Sequence, residues 1–185
     1  MKFLKFFIII FISLTTSIKA DLNKNLINQL EDGGKLIFIR HAYAPGNGDP
    51  NNFNLNDCST QRNLNEEGRK QAQNIGRFFK KNKIKIDKVL SSEWCRCKET
   101  ASIAFRNYST ISFLNSFYSS KFAKNKEMQI KELNKYIKKH KSNKNLVFVT
   151  HYVLISEVLD YGPSSGEIVV SDKNFNIIRS IKINY

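Results

Sequence analysis

The residue types best suited to chemistry on an anion occur as two arginines and two histidines. They are Arg40, His41, Arg96 and His151. A guanidinium group presents a flat fork of N–H donors that fits the oxygens of a phosphate group. A neutral imidazole is a nucleophile near neutral pH, and a second, protonated imidazole can donate to a phosphoryl oxygen. These side chains predict attack by a histidine on phosphorus, a reaction for which we expect neither a metal nor a cofactor.

Short apolar runs precede these residues, and such runs are typical of buried strands. The runs 35–39, 87–90 and 146–149 are followed by Arg40-His41, by Ser91-Ser92 and then Arg96, and by Thr150-His151, respectively. In open parallel sheets, ligands bind just outside the carboxyl ends of the strands. The sequence therefore predicts that the four side chains meet in one crevice.

The pattern of the remaining chain alternates between helices and strands. Helices are predicted over 65–81, 93–105, 124–141 and 152–160, closing strands over 166–170 and 175–183, a long loop over 41–63, and either irregular chain or a short strand over 107–122. Strand–helix–strand order predicts an α/β fold, a three-layer sandwich with a mainly parallel central sheet and helices on both faces. Three local expectations accompany this assignment. Ser92 caps its helix, Met128 faces inward and His140 is exposed.

The first twenty residues differ in composition from the rest. Lysines precede an apolar run over residues 6–14, and Ala20 comes just before Asp21. This order is typical of a secretory signal peptide, with a retained N-terminal anchor as the alternative. We therefore expect a signal peptide over 1–20, one domain over 21–185, a secreted or periplasmic protein and no transmembrane segment in the mature chain.

The chain is basic, with a formal net charge of +14 that falls to +11 once the three lysines of residues 1–20 are removed. The remaining lysines are scattered, apart from a group over 135–144. Scattered lysines indicate a solvated surface that attracts a small phosphorylated substrate. We do not expect nucleic acid as a partner.

The three cysteines predict one disulfide in an exported protein. Cys95 and Cys97 are two positions apart on a predicted helix, so their side chains point away from each other. The prediction is a disulfide from Cys58 to either Cys95 or Cys97. A zinc site is the alternative, although the spacing lacks the usual paired ligands.

The motifs, taken together and in order, resemble those of the histidine phosphatase superfamily, also called phosphoglycerate-mutase-like. Phe38-Ile-Arg-His41 resembles its arginine–histidine motif, and Val149-Thr-His151 its second-histidine motif. The run from Ser91 to Ala101 matches its two serines, its arginine four positions later and its Thr-Ala pair. Asn63 to Ala72 and Gly166-Glu-Ile168 are similar to further family segments, the latter to short exported members. The resemblance spans about residues 35–171.

The resemblance implies a phosphoglycerate-mutase-like fold and a division of roles in the site. His41 is the residue that becomes phosphorylated, Arg40 and Arg96 bind the phosphoryl group, and His151 completes the pocket. Asn47 and Arg62 are expected at the pocket rim. The acid that protonates the leaving group in many members has two candidates, Asp49 and Asp57. The chain departs from the family at Ala42, where glycine is usual, and at Tyr152, where a small residue is common.

Three other functions are compatible with parts of the sequence. The first is a catalytically weak module with the same fold that binds phosphate or the cell envelope. The second is a lysine-rich protein that binds anionic polymers or lipids, which would require a contiguous basic face. The third is a mutase, which the predicted signal peptide disfavours. The expected activity is therefore metal-independent hydrolysis of a phosphomonoester or phosphoramidate.

Overall fold

One mixed sheet organises the part of the chain that the structure, a computed structural model, describes, residues 24–185. The strands are β1 (Leu36–Arg40), β2 (Ile86–Ser91), β3 (Ser109–Thr110), β4 (Asn145–Thr150), β5 (Ile168–Ser171) and β6 (Ile177–Ile181). Their order is β3-β2-β4-β1-β5-β6, parallel from β3 to β1 and antiparallel at β5 and β6. The mainly parallel sheet is thereby confirmed, and the predicted signal peptide lies outside the described residues.

The central strands are buried on both faces, which explains why they appear in the sequence as continuous apolar runs. Alternate residues of β1 enter two separate cores, because successive side chains of a strand point to opposite faces. Ile37 and Ile39 pack in one core, and Leu36 and Phe38 pack in the other. Each core is closed by a layer of helices, as the three-layer prediction requires.

The helices cover these two faces. Residues 24–32 form α1, followed by α2 (Glu66–Lys81), α3 (Cys95–Phe105), α4 (Ser120–Ala123), α5 (Lys126–Lys139) and α6 (Tyr152–Leu159). Residues of α1, α2 and α3 pack in the first core, and residues of α5 and α6 pack in the second. The helix α1 was not predicted. None of the helices among residues 24–185 combines the length and apolar composition that crossing a bilayer requires.

Helix α2 begins where its capping residues dictate and supports the loop after β1. The Asn65 side chain accepts a hydrogen bond from the Gly68 amide at 2.9 Å, and Glu66 and Glu67 lie in the first turn, where the helix dipole favours acids. A side chain at Gly68 would lie 2.0 Å from the Tyr43 carbonyl oxygen. This close approach explains the glycine and brings α2 against the chain that follows His41.

Three local predictions were wrong, each for a packing reason. Helix α3 begins at Cys95 without a side-chain cap, and Ser92 instead hydrogen-bonds to His151. Met128 is 61% exposed, on the outer side of α5. His140 is not free in solvent, because its Nε2 lies 2.8 Å from Asp87 Oδ2 and its side chain is only 7% exposed.

Candidate active site

His41 lies where β1 ends, and its backbone is held from both sides of the strand. Its amide donates to the Thr150 carbonyl at the end of β4, and its own carbonyl accepts from the Gly166 amide ahead of β5. The side chain is 2% exposed. The imidazole is therefore fixed at the carboxyl edge of the sheet by strand pairing and burial, not by a flexible loop.

The hydrogen bond of His41 determines which ring nitrogen can react. Nδ1 lies 2.8 Å from the carbonyl oxygen of Ala42. A carbonyl oxygen only accepts, so Nδ1 carries the proton and Nε2 keeps its lone pair. The amide of Ala42 in turn donates to Thr100 Oγ1 at 3.0 Å. Alanine in the usual glycine position is fully buried and performs this orienting role through its backbone.

The second histidine, His151, is brought against the first by the pairing of β4 with β1. Its ring centroid lies 5.6 Å from that of His41, edge to face. His151 Nε2 is 2.9 Å from Ser92 Oγ, and Nδ1 is 3.5 Å from Arg96 Nη2. A guanidinium only donates, so Nδ1 is the accepting nitrogen of a neutral ring whose Nε2–H donates to Ser92.

Arg96 occupies the first turn of α3 and is held by a carboxylate. Its Nη1 lies 2.6 Å from Asp49 Oδ1, and its Nη2 lies 3.2 Å from Asp49 Oδ2. The pair is bidentate, which fixes the guanidinium plane. Only 4% of the Arg96 side chain is exposed. Asp49 thus occupies the fork with which Arg96 would bind phosphate oxygens.

The other predicted binding residues, Arg40, Arg62 and Asn47, line the same cavity and differ in the contacts that fix their side chains. Arg40 donates to the Pro163 carbonyl at 2.9 Å and its guanidinium lies 5.4 Å from the Tyr152 ring centroid. Arg62 donates to the carbonyls of Gly48 and Ala44, so it holds the loop as well as lining the cavity. Asn47 is exposed at the cavity mouth. Tyr152, where a small residue is common, lines the cavity and contacts the guanidinium of Arg40.

The four central residues line a single cavity of about 450 Å³. The convergence that the strand ends predicted is therefore present in the structure: Arg40, His41, Arg96 and His151 surround one space. The Nε–H groups of Arg40 and Arg96 are buried and have no partner among residues 24–185. Buried donors are normally satisfied, and an oxyanion in this cavity would satisfy them.

Burial and positive charge keep both imidazoles neutral. Burial lowers the pKa of His41 well below its usual value, and the charge of Arg96 lowers it further. The same two causes, in the same order, lower the pKa of His151, with His41 contributing next. A neutral His41 is available as a nucleophile without first losing a proton. Burial raises the pKa of the neighbouring Cys97 thiol to about 12, so this thiol is not a competing nucleophile.

The two candidate acids differ completely in position. Asp57 is exposed and accepts from the Ser59 amide and hydroxyl, outside the cavity. Asp49 lines the cavity and also accepts from the Trp94 indole N–H at 3.1 Å. Burial acts to raise the pKa of Asp49, but the hydrogen bonds and charge of Arg96 outweigh it and lower that pKa. An ionised Asp49 accepts protons and does not donate them, so it is poorly suited to protonate a leaving group.

Replacing Asp49 with asparagine is expected to strengthen the binding of inorganic phosphate by about tenfold or more, because a carboxylate on Arg96 repels an anion nearby. The measurement is the dissociation constant of phosphate by calorimetry. Asp57→Asn, on the same loop but outside the cavity, is the matched control and should leave that constant unchanged. Weaker or equal phosphate binding in Asp49→Asn would show that the carboxylate does not compete for Arg96.

Thr100 and Gln71 lie within segments that resemble family motifs, but the sequence did not predict that they hold neighbouring backbone in place. Thr100 orients the Ala42 amide, as described above. Gln71 accepts from the Tyr43 amide at 2.9 Å and donates to the carbonyls of Ser165 and Ile183. The sequence did contain a signal for this role of Gln71, namely a polar side chain among the apolar positions of α2. A buried amide group must find hydrogen-bond partners. Gln71 ties the chain after His41 to the segments flanking β5 and β6.

The chain resembles known proteins in both its sequence and its fold. A family model described as the histidine phosphatase superfamily (branch 1) matches residues 36–115. No curated protein matches the chain. Among solved structures, the chain is similar to the protein histidine phosphatase SixA complexed with tungstate, with a TM-score of 0.53 and 14% identity, over 82% of this chain and 94% of that one.

Two further structures show the same likeness. A putative phosphohistidine phosphatase SixA from Agrobacterium tumefaciens gives a TM-score of 0.55 at 17% identity, over 80% of this chain and 98% of that one. A phosphoglycerate mutase from Thermus thermophilus gives 0.56 at 15% identity, over 81% of this chain and 99% of that one. At such identities the likeness concerns the fold. The predicted α/β fold class and the resemblance of the sequence are both confirmed.

Proposed function

Because the chain carries the sequence signature and the fold of the histidine phosphatase superfamily, we propose that it hydrolyses a phosphomonoester or phosphoramidate through a phosphohistidine on His41. One observation carries the proposal. His41 is oriented by the Ala42 carbonyl so that its Nε2 is unprotonated, in the same cavity as His151 and the guanidinium groups of Arg40 and Arg96. A nucleophile and anion donors in one cavity are the minimum for phosphoryl transfer.

In the first step, Nε2 of His41 attacks the phosphorus atom. The N–P bond forms as the bond from phosphorus to the leaving oxygen or nitrogen breaks, and the leaving group takes up a proton from water, which the proton released by the attacking water in the second step replaces. Arg40 and Arg96 bind the equatorial oxygens, and the substrate competes with Asp49 for the Nη atoms of Arg96. The negative charge of the phosphoryl group favours a protonated His151, which then donates to a phosphoryl oxygen in the transition state.

In the second step, water attacks the phosphohistidine. The new P–O bond forms as the N–P bond breaks, inorganic phosphate is released and Nε2 of His41 regains its lone pair. The hydrogen bond from Nδ1 to the Ala42 carbonyl keeps the ring in one tautomer through both steps. The two steps together consume a small phosphorylated substrate and water and use no cofactor.

The test is to trap the intermediate. The purified chain, without added metal, is mixed with a panel of phosphomonoesters and with phosphohistidine, quenched with base, and digested for mass spectrometry. We expect phosphate on the peptide that contains His41, stable to base and lost in acid. Turnover without any such adduct, or with the adduct on another residue, would refute this nucleophile. Phosphate binding without turnover would instead favour the catalytically weak binding module.

We also propose that the protein acts outside the cytoplasm, as a secreted or periplasmic enzyme of the short exported branch, after removal of residues 1–20. The support is the lysine–apolar–alanine order of that segment together with a disulfide between Cys58 and Cys95. Disulfides persist in oxidising compartments. The measurement is the N-terminus of the purified exported protein, which should be Asp21. A cell-associated chain that retains its first residues would favour the anchor.

A further inference from the structure

A second concave surface adjoins the catalytic cavity, the space lined by His41 and His151, and its exposed lining is mainly apolar. We call it the apolar groove. It has a volume of about 720 Å³, and its walls include Ile111, Phe113, Met128 and Tyr136. Met128 is one of the few large apolar side chains that are exposed among the described residues, and it lies on this surface. Exposed apolar surface beside a binding site is commonly part of that site.

The groove and the catalytic cavity share one wall. Phe53, Trp94 and Phe122 line both spaces. Phe53 stacks on Trp94 with centroids 5.0 Å apart, and Phe122 meets both rings edge to face, at 5.6 and 5.5 Å. These three residues form a packed aromatic wall whose two sides face the two spaces.

The aromatic wall is also in contact with the catalytic residues. The Trp94 ring lies 5.4 Å from the His151 ring, and its indole N–H donates to Asp49, the partner of Arg96. For a substrate held by its phosphoryl group at His41, only the His151 side chain therefore lies between the phosphorus atom and the aromatic wall. An apolar substituent that leaves the cavity over this wall enters the apolar groove.

The charges around the two spaces match an amphiphilic anion. Arg40, Arg62 and Arg96 concentrate positive charge in the catalytic cavity. Lys135 and Lys139 lie at the edge of the groove, and the one acid there, Glu132, is paired with Lys135. One end of the combined surface is thus suited to a phosphate dianion, the middle to apolar carbon and the edge to further negative charge.

We infer that the substrate is a phosphomonoester of an amphiphilic alcohol, with the phosphate in the catalytic cavity and an alkyl chain in the apolar groove. The inference rests on the proposed function and adds the substrate class to it. A chain in the groove covers the exposed face of Met128 and excludes water from the aromatic wall. Each methylene that enters is expected to raise kcat/KM by about two- to fourfold, because it is removed from water in the transition state.

The experiment compares butyl, hexyl, octyl and decyl phosphate below their critical micelle concentrations, with p-nitrophenyl phosphate as a reference substrate. We expect kcat/KM to rise along the series in the native protein. In Met128→Asp, which places a charge on the groove at an exposed position, the rise should disappear, so that kcat/KM falls much further for decyl phosphate than for butyl phosphate. Ile177→Asp, an exposed apolar position on β6 outside both spaces, is the matched control and should keep the rise.

Each outcome separates this inference from the function on which it rests. Equal kcat/KM along the series overturns the amphiphilic substrate and leaves a phosphatase of polar monoesters. A rise that persists in Met128→Asp places the alkyl chain elsewhere and overturns the role of the groove. Failure of the native protein to hydrolyse p-nitrophenyl phosphate, every alkyl phosphate of the series and phosphohistidine overturns the proposed function itself.

Discussion

Replacing His41 with alanine is expected to lower kcat/KM for phosphate-ester hydrolysis by at least about ten thousandfold, the usual scale for removal of a covalent nucleophile. His41 is fully enclosed, and its reactive nitrogen is fixed by the Ala42 carbonyl. No other group in the cavity can replace it. The Nδ1 atom of His151 faces Arg96, and the Cys97 thiol is protonated at any physiological pH.

The measurement is kcat/KM for p-nitrophenyl phosphate, with the fold of each variant checked by its melting temperature. The matched control is His140→Ala, which removes an imidazole at the opposite end of the sheet, where it pairs with Asp87 at the start of β2. That variant is expected to lose stability but to keep kcat/KM within about threefold of the native value, since distant sites act independently. If His41→Ala hydrolysed p-nitrophenyl phosphate at a rate comparable to that of the native protein, the covalent mechanism would be refuted.

The convergence of the site was predictable because parallel strands share one edge. Arg40, His41 and His151 follow strands whose apolar runs are unambiguous, and the register aligns Arg40 with Thr150. A short apolar run bounded by polar residues is a strong signal for a strand buried on both faces. Once the strands are parallel, their last residues must be neighbours, so these side chains could be placed at one edge of the sheet without any knowledge of side-chain contacts.

The contacts of the long loop could not be predicted, because a loop lacks the regular pairing that fixes the neighbours of a strand. Residues 41–63 have no apolar period, so nothing in the sequence indicates that Asp49 turns inward to Arg96 while Asp57 stays outside. The aromatic wall joins three separate segments, with Phe53 from this loop packed against Trp94 and Phe122. Such long-range contacts leave no periodic pattern in the chain. His140 was misassigned likewise, because its partner Asp87 lies on a different element.

Removing the disulfide between Cys58 and Cys95 is expected to lower the free energy of unfolding by about 4 kcal/mol. The bond closes a loop with a sequence separation of 37, and opening it restores the conformational entropy of that loop to the unfolded chain. The prediction from sequence left Cys95 and Cys97 open as partners. The structure selects Cys95, which faces the loop, while Cys97 points to the Thr150 carbonyl on the other side of α3.

The measurement is urea unfolding of the native chain and of Cys58→Ala/Cys95→Ala, each with and without reductant. Reductant should lower the free energy of unfolding of the native chain. It should leave that of the double variant unchanged, because the double variant has no disulfide to reduce and therefore serves as the control. Thiol titration of the unfolded, unreduced protein should count one thiol, that of Cys97, and reduction should raise the count to three. Three thiols before reduction, or equal stability in all four samples, would contradict a structural disulfide.

The disulfide should also affect catalysis, because of the residues that it joins. Cys95 is adjacent to Arg96 in the first turn of α3, and Cys58 lies on the loop that carries Asp49 and Arg62. Without the bond, the loop keeps three attachments to the start of α3: the pair between Asp49 and Arg96, the hydrogen bond from the Cys95 amide to Gln61, and the stacking of Phe53 on Trp94. A phosphate that competes with Asp49 for Arg96 would then weaken the attachment of the loop as well as displace one carboxylate. We therefore expect reduction to raise KM more than it lowers kcat, since the cost falls on binding.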